Sequence, residues 1–277
     1  MRMNQIKFLL SGLVLSMFFT SCSLEADFGK HTETQTGRLV VKNLTANAVY
    51  VETRALVESD YKNTDNYSVV VTDVNGEEKL NCKGSELTSM QPLTLPIGNF
   101  TVKAFYGKEH AASRDEFYVL GEVVGIIKAD QTEAVNVTCS PTCGRIKVNF
   151  SSEMQQYFED YSVDFTGTKA LASNKISWLK NDVEPWYVKL EKVGEEILFE
   201  VSARMKDAYV NEDQQHTTQK SGKFTLARNK AYTLNVNPKY TPGEQPGEEE
   251  VELNIEIVID ESTNDQEYDI EVPVTWI

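Results

Sequence analysis

The sequence of 277 residues carries a formal net charge of −15 at pH 7, with 42 acidic and 27 basic side chains. An acidic surface repels phosphate backbones and anionic lipid, so the composition disfavours nucleic-acid binding and electrostatic attachment to a membrane. The length suits one large domain or two of ordinary size, each able to bury a hydrophobic core.

The first 27 residues have the pattern of an export signal. Arg2 and Lys7 precede a nearly unbroken apolar run, residues 8–19, which is too short to cross a hydrocarbon core of about 30 Å. Thr20 and Ser21 then lead into Cys22, which resembles a bacterial lipobox, and the acidic residues that follow resemble a surface-export signal of Bacteroidetes lipoproteins. We therefore expect removal of residues 1–21, acylation (palmitate) of Cys22 and a flexible surface tether at 22–36. The alternative is an ordinary secreted protein cleaved nearby.

Apolar–polar alternation dominates residues 37–140 and predicts a β-sandwich of short strands. Asn75-Gly76 is a strong hairpin signal, and Pro96 with Gly98 predicts a turn between two further strands. The strands predicted in this N-terminal half are 37–44, 67–72, 77–82, 93–95, 100–106, 117–127 and 134–139.

A composition break at residues 140–142 predicts a domain boundary, with a second β-sandwich over 141–237. Gly144-Arg145 restarts the pattern of Gly37-Arg38 at the head of an alternating run, which suggests two domains of like topology. One or two helical turns are expected at 153–158. The strands predicted in this half are 145–150, 161–166, 188–191, 197–205, 222–226 and 231–237.

The C-terminal residues have two distinct parts. Residues 238–250 are rich in Pro, Gly and Glu and predict a solvated linker. Residues 251–259 and 268–276 alternate again and predict a β-ribbon over 251–277 with one apolar face. Because an isolated two-stranded ribbon is marginal in water, it either packs on its own sandwich or serves as a donor strand for another chain.

Cysteines and histidines give few chemical signals. An exported chain meets oxidising conditions, so Cys139 and Cys143 are a candidate disulfide around Pro141, with buried thiols as the alternative. The three histidines are scattered singly, and no metal site or cofactor is predicted. Neither a Gly-x-Ser-x-Gly nor a His-Glu-x-x-His motif occurs, so we expect no catalytic residues and no enzyme.

Aromatic residues are concentrated between residues 177 and 187. If Trp178, Trp186 and Tyr187 are exposed, they form a platform on which sugar rings stack, which is typical of a glycan-binding outer-membrane lipoprotein of a sugar-uptake system. If they are buried, they are packing residues, the commoner fate of aromatic side chains in a sandwich.

Several segments together resemble the fimbrillin-like cell-adhesion lipoproteins of the Bacteroidetes, in particular a two-domain branch of that superfamily. The lipobox, the start of the first strand and the Leu-Pro-x-Gly-x-aromatic turn belong to this resemblance. The matching segments besides the lipobox are 36–39, 93–104, 135–139 and 147–158.

The resemblance implies an all-β fold of two transthyretin-like Greek-key β-sandwiches in tandem. It also implies a fimbrial subunit or adhesin at the outer surface, whose partners are the outer membrane, other fimbrial subunits and a surface glycan or protein. In this family shaft subunits assemble by strand exchange after a protease removes the N-terminal strand behind a basic residue. Arg38 is the candidate processing site, with Arg54 following it; the alternative is that Arg38 is an edge-strand charge that resists aggregation.

Overall fold

The structure, a computed structural model, describes residues 35–47, 58–209, 216–241 and 250–259. The leader, Cys22, Arg54 and the second strand expected for the ribbon lie outside these ranges, and the predictions about them stay predictions. Within the described ranges the chain is all-β, as the sequence predicted.

The strands of the N-terminal half form one sheet in the order β3-β2-β5-β7-β8-β1-β4. The pairing of β7 with β8 covers only two residue pairs, so the sheet folds there into two layers around one core. β1 and β8 run parallel, and the other pairs are antiparallel. These strands are β1 (Thr36–Ala46), β2 (Ser68–Thr72), β3 (Glu78–Lys83), β4 (Leu93–Pro96), β5 (Gly98–Tyr106), β7 (Val119–Ile127) and β8 (Thr132–Pro141).

The C-terminal half has two sheets, β11-β10-β13-β14 and β16-β15-β9-β12-β6, and the edge strand β6 (Ala112–Ser113) comes from the N-terminal half of the chain. Two short helices, α1 (Glu58–Lys62) and α2 (Gly84–Leu87), lie between strands of the N-terminal half. A third, α3 (Met154–Tyr157), lies in the C-terminal half, where a helical turn was expected. The other strands of these two sheets are β9 (Cys143–Phe150), β10 (Phe158–Thr166), β11 (Ile176–Leu179), β12 (Trp186–Lys189), β13 (Gly194–Met205), β14 (Thr217–Ala227), β15 (Ala231–Thr241) and β16 (Glu250–Ile259).

The two halves repeat one strand arrangement. β1 lies parallel to β8 and antiparallel to β4, and β9 lies parallel to β15 and antiparallel to β12. The order β3-β2-β5-β7 likewise matches β11-β10-β13-β14. The Gly-Arg echo therefore falls on equivalent strands. At Gly37 and Gly144 the turn that leads into the parallel partner strand, β8 or β15, passes so close that a Cβ would come within 3 Å of a backbone oxygen, Lys128 O or Ala227 O respectively.

Each half has its own hydrophobic core. Leu39, Phe100 and Val137 are among the buried residues of the first core, and Trp178 and Leu234 are among those of the second. Strand β9 joins the two, because Cys143 at its start is buried in the first core and Ile146 in the second.

The first strand expected for the ribbon belongs to its own sheet. β16 pairs antiparallel with β15 over ten residue pairs and buries Val251 and Leu253 in the second core. β15 extends to Thr241, so residues 238–241, expected in the linker, are part of a strand. Pro238 suggested a linker, but it does not end the strand. It lies opposite Leu253, and residues 239–241 continue the pairing with β16.

Candidate functional site

The first strand lies inside a sheet although it comes from the N-terminal end of the described chain. β1 pairs with β8 over eight residues, and its first four residues, 36–39, also pair with β4 on the other side. Leu39 is 1% exposed and Val41 is also buried, so the strand contributes side chains to the first core. Removal of β1 would leave two unpaired strand edges beside an apolar groove.

The structure places Arg38 at the third position of β1, with its side chain exposed. Cleavage after Arg38 would release only residues 36–38 of the strand and leave residues 39–46 paired with β8. Arg38 is thus a poor site for releasing the strand. Arg54 follows β1 in sequence and lies outside the described residues, and cleavage there would separate the whole strand from the remainder of the chain.

The aromatic segment is packed rather than presented to solvent. Trp178 is fully buried in the second core, and Tyr187, 2% exposed, is buried in the first. Trp186 is half-buried, and its indole Nε1 donates a hydrogen bond to Ser177 O at 3.2 Å. These three side chains therefore form no sugar-stacking platform, because two of them have almost no exposed surface.

Trp186 is covered by a segment from the other half of the chain. Residues 107–118, here called the strap, connect β5 to β7, and their two-residue strand β6 pairs with β12. The backbone N–H of Lys189 donates to Ala111 O at 3.0 Å. The ring of Phe117 stacks on Tyr187 with centroids 4.9 Å apart. The strap thus joins the two sandwiches by backbone pairing and by aromatic packing.

Arg114 is the main polar contact of the strap. Its guanidinium carbon lies 4.5 Å from the centroid of Trp186 and 5.2 Å from that of Trp178. Its Nη2 donates to Asp182 Oδ2 at 2.5 Å and to Ser177 O at 3.2 Å. Sequence reasoning missed Arg114, because nothing in the local pattern of a loop indicates a partner 68 positions away.

The carboxyl group of Asp182 is tuned by this contact. Burial alone raises its pKa, but hydrogen bonds from Arg114 and from the backbone N–H of Leu179, together with the charge of Arg114, outweigh that effect. The net pKa of Asp182 lies below its ordinary value. The ion pair is therefore formed at neutral pH, in a setting where both side chains are about three-quarters buried.

The cysteines of the described chain are buried thiols. No disulfide joins Cys139 to Cys143 in the structure. The Cys139 thiol points into the first core, where it donates to Ala104 O at 3.5 Å, and burial raises its pKa to about 12. The structure thus favours the alternative of buried thiols over the disulfide.

The described ranges contain neither a metal-binding cluster nor a membrane-spanning helix. No group of three or more His, Cys, Asp or Glu side chains there is arranged to hold a metal ion. Among the same residues, no helix has the length and apolar character needed to cross a membrane.

The sequence of the chain is similar to a known protein family. The family described as "Domain of unknown function (DUF4493)" matches residues 35–274, nearly the whole chain. The chain belongs to this family. No curated protein matches the sequence of this DUF4493 chain.

Solved structures similar to this DUF4493 chain come from Bacteroidetes. A fimbrial assembly protein from Parabacteroides distasonis is 12% identical, with a TM-score of 0.40, covering 81% of this chain and 98% of its own. The fimbrial anchor protein Mfa2 from Porphyromonas gingivalis is 11% identical, with a TM-score of 0.40 and coverage of 81% and 97%. A candidate cell adhesion protein from Bacteroides ovatus is 14% identical, with a TM-score of 0.36 and coverage of 81% and 97%. These fimbrial and cell-adhesion proteins are of the class that the sequence resembles, and at such identities and TM-scores they assign no role to this chain.

Proposed function

We propose that the protein is a surface-exposed fimbrial subunit or cell-adhesion lipoprotein, without catalytic activity, that associates with other subunits through β-strand addition. Lipid at Cys22 would hold it in the outer membrane. The observation that carries the proposal is the placement of β1, an N-terminal strand that pairs with β8 along most of its length and with β4 over residues 36–39, with its inner side chains in the core.

Such a strand can be replaced by another of similar pattern. An incoming strand restores the backbone hydrogen bonds of the β8 and β4 edges, and its alternate side chains refill the positions of Leu39 and Val41. Leaving these groups unsatisfied is costly, because unpaired edges and exposed apolar residues promote association. The loss of β1 would therefore favour binding of a strand from another subunit.

The donor strand in this proposal comes from residues 268–276. β16 fills the edge of its own sheet and buries Val251 and Leu253, so it is held by its own molecule. Residues 268–276 follow it with the alternating pattern that a donor needs, and they lie outside the described residues. In this proposal β16 completes the second sandwich of its own molecule, and residues 268–276 pair with another subunit.

The glycan-binding lipoprotein of a sugar-uptake system was the other function favoured by the sequence. It depended on an exposed cluster at Trp178, Trp186 and Tyr187. Because Trp178 and Tyr187 are buried, no observation at that segment supports this second function.

Limited digestion with an arginine-specific protease tests strand addition. We expect digestion of the mature chain to remove β1 and to produce SDS-resistant ladders in electrophoresis. Arg54→Lys keeps the charge but removes the cleavage site, so it should abolish the ladders, whereas the matched variant Arg38→Lys should still form them. Deletion of residues 260–277 should leave cleavage unchanged and prevent ladder formation. A digested chain that has lost β1, confirmed by mass spectrometry, and stays monomeric would contradict the proposal.

A further inference from the structure

Three tyrosines meet at one end of the second sandwich. Tyr157 ends α3, Tyr209 lies in a single helical turn after β13, and Tyr240 is near the end of β15. The rings of Tyr157 and Tyr240 are nearly parallel, 17° apart, with centroids at 5.8 Å. The ring of Tyr209 is tilted by 58° against Tyr157, with centroids at 5.2 Å. These three side chains are called the tyrosine cluster.

The tyrosine cluster differs from the aromatic groups of the two cores in its exposure. Tyr157 and Tyr209 are half-buried, and Tyr240 is 43% exposed. Trp178 and Tyr187 are, by contrast, at most 2% exposed. Tyrosine has an apolar ring and a polar hydroxyl, which suits a surface that contacts both an apolar face and hydrogen-bonding groups.

The strand directions place the tyrosine cluster away from the first sandwich. β9 begins at Cys143 in the first core and runs to Phe150, after which α3 carries Tyr157. β15 likewise begins at Ala231, which is buried in the first core, and reaches Tyr240 near its other end. The tyrosine cluster therefore lies at the end of the second sandwich opposite the first core, where strand addition at β1 would leave it uncovered.

Polar groups border the tyrosine cluster. The backbone of Lys206 donates to Tyr157 O at 2.9 Å and accepts from Tyr209 N at 2.9 Å, so this residue fixes two of the three tyrosines. Next to it, Asp207 is 83% exposed, and its Oδ1 lies 3.6 Å from Nδ1 of His216, whose side chain is 56% exposed. Asp207 begins the helical turn that contains Tyr209, so the carboxylate and its imidazole partner belong to the same end of the sandwich, and they can accept hydrogen bonds from hydroxyl groups and donate to them.

We propose that the tyrosine cluster binds a neutral hexopyranose unit of a surface glycan. The flat C–H face of the sugar would stack on the exposed ring of Tyr240, while Asp207 and His216 bind its hydroxyls. The net charge of −15 favours neutral over acidic sugars. This inference rests on the proposed adhesin function and supplies the class of ligand that the aromatic segment at 178–187 does not bind.

Saturation-transfer difference NMR on the full mature chain tests the inference. The probes are the methyl β-glycosides of glucose, galactose, mannose and N-acetylglucosamine, with N-acetylneuraminic acid as the acidic comparison. We expect saturation transfer to ring C–H protons of at least one neutral glycoside and none to the acidic sugar. Tyr240→Ala should reduce the transfer at least fivefold, while Tyr240→Phe and Tyr240→Trp should keep it because the stacking surface remains.

Matched controls separate binding from folding. Leu179→Ala removes another exposed apolar side chain and should leave the transfer unchanged. Circular dichroism should show that Tyr240→Ala is folded, because this tyrosine is exposed near a strand end. No transfer to any neutral glycoside, or equal transfer in Tyr240→Ala, would overturn the inference. A chain that forms ladders after digestion but binds no sugar refutes the sugar site alone, whereas sugar binding without ladders refutes strand addition alone.

Discussion

The guanidinium group of Arg114 is one of the groups that connect the two sandwiches. It belongs to the strap from the first half, and it contacts Asp182, Ser177 O and two indole rings of the second half. Charged hydrogen bonds contribute about 1.5–3 kcal/mol each to stability, and cation–π contacts about 0.5–2 kcal/mol. Arg114 is thus the polar side chain of the strap whose loss should cost most.

We expect Arg114→Ala to lower the free energy of unfolding by about 2–3 kcal/mol, because it removes these contacts and leaves Asp182 partly buried without its cation. Urea denaturation followed by fluorescence measures the change. Arg204→Ala is the matched control, since Arg204 is 60% exposed and faces Glu159 at 3.4 Å, and its loss should cost less than about 1 kcal/mol. Equal effects of both substitutions would show that Arg114 is not a special contact.

The cost of Arg114→Ala should also depend on pH. The carboxyl of Asp182 has a depressed pKa in the folded chain, so its ion pair contributes fully above the ordinary value of 3.8 and is lost as the pH falls through the folded pKa. The difference between the native chain and Arg114→Ala should therefore be constant near pH 7 and shrink below about pH 4. A difference that stays the same at pH 3 would contradict this origin.

At the scale of elements, the echoed glycines explain why the same dipeptide begins two strands. A Cβ on Gly37 would lie 2.3 Å from Lys128 O, and one on Gly144 would lie 2.9 Å from Ala227 O. We expect Gly37→Ala to lower the free energy of unfolding by about 2 kcal/mol or more and Gly144→Ala by somewhat less. Gly194→Ala is the control, because its nearest contact is a methyl group at 3.1 Å that can move. A chemical denaturation series in which all three behave alike would refute the close approach.

The packing of β16 against its own sandwich can be tested by substitution. Leu253 is 3% exposed in the second core, whereas Val258 on the same strand is 41% exposed. We expect Leu253→Ala to lower the free energy of unfolding by about 2–5 kcal/mol and Val258→Ala by less than about 1 kcal/mol, as measured by urea denaturation. An unchanged stability in Leu253→Ala would mean that β16 is not held by its own sandwich in solution.

Sequence reasoning predicted some of the strands and missed others. Alternation predicted strands such as β1 and β5, because each buries one face in a core and exposes the other. β6 was missed, since a two-residue strand held only by pairing with β12 leaves no period in the sequence. The exposure of Trp178 was open for a related reason: its four-residue strand β11 gives no pattern long enough to say which face is inside.

At the scale of the whole molecule, the candidate sites are formed by topology. Tyr157, Tyr209 and Tyr240 come from three separate elements, and only the strand order of the second sandwich brings their rings together. The parallel pairing of β1 with β8 similarly joins the first and last strands of the first sandwich. Strand alternation is readable locally, whereas these long-range arrangements depend on the complete fold. One sandwich thus contains β1, the strand that we propose is exchanged, and the other carries the tyrosine cluster at its far end.

Attachment of the whole molecule to a membrane should depend on Cys22. The predicted removal of residues 1–21 would take away Arg2 and Lys7 and lower the net charge from −15 to −17, so charge attraction to anionic lipid would not hold the mature chain. Each buried CH₂ of an acyl chain contributes about 0.8 kcal/mol, and several chains anchor firmly. We expect Cys22→Ser to move the protein from the membrane pellet to the soluble fraction after ultracentrifugation, while washing with 1 M salt should not release the native chain. Retention of Cys22→Ser in the pellet would instead indicate attachment through another part of the protein.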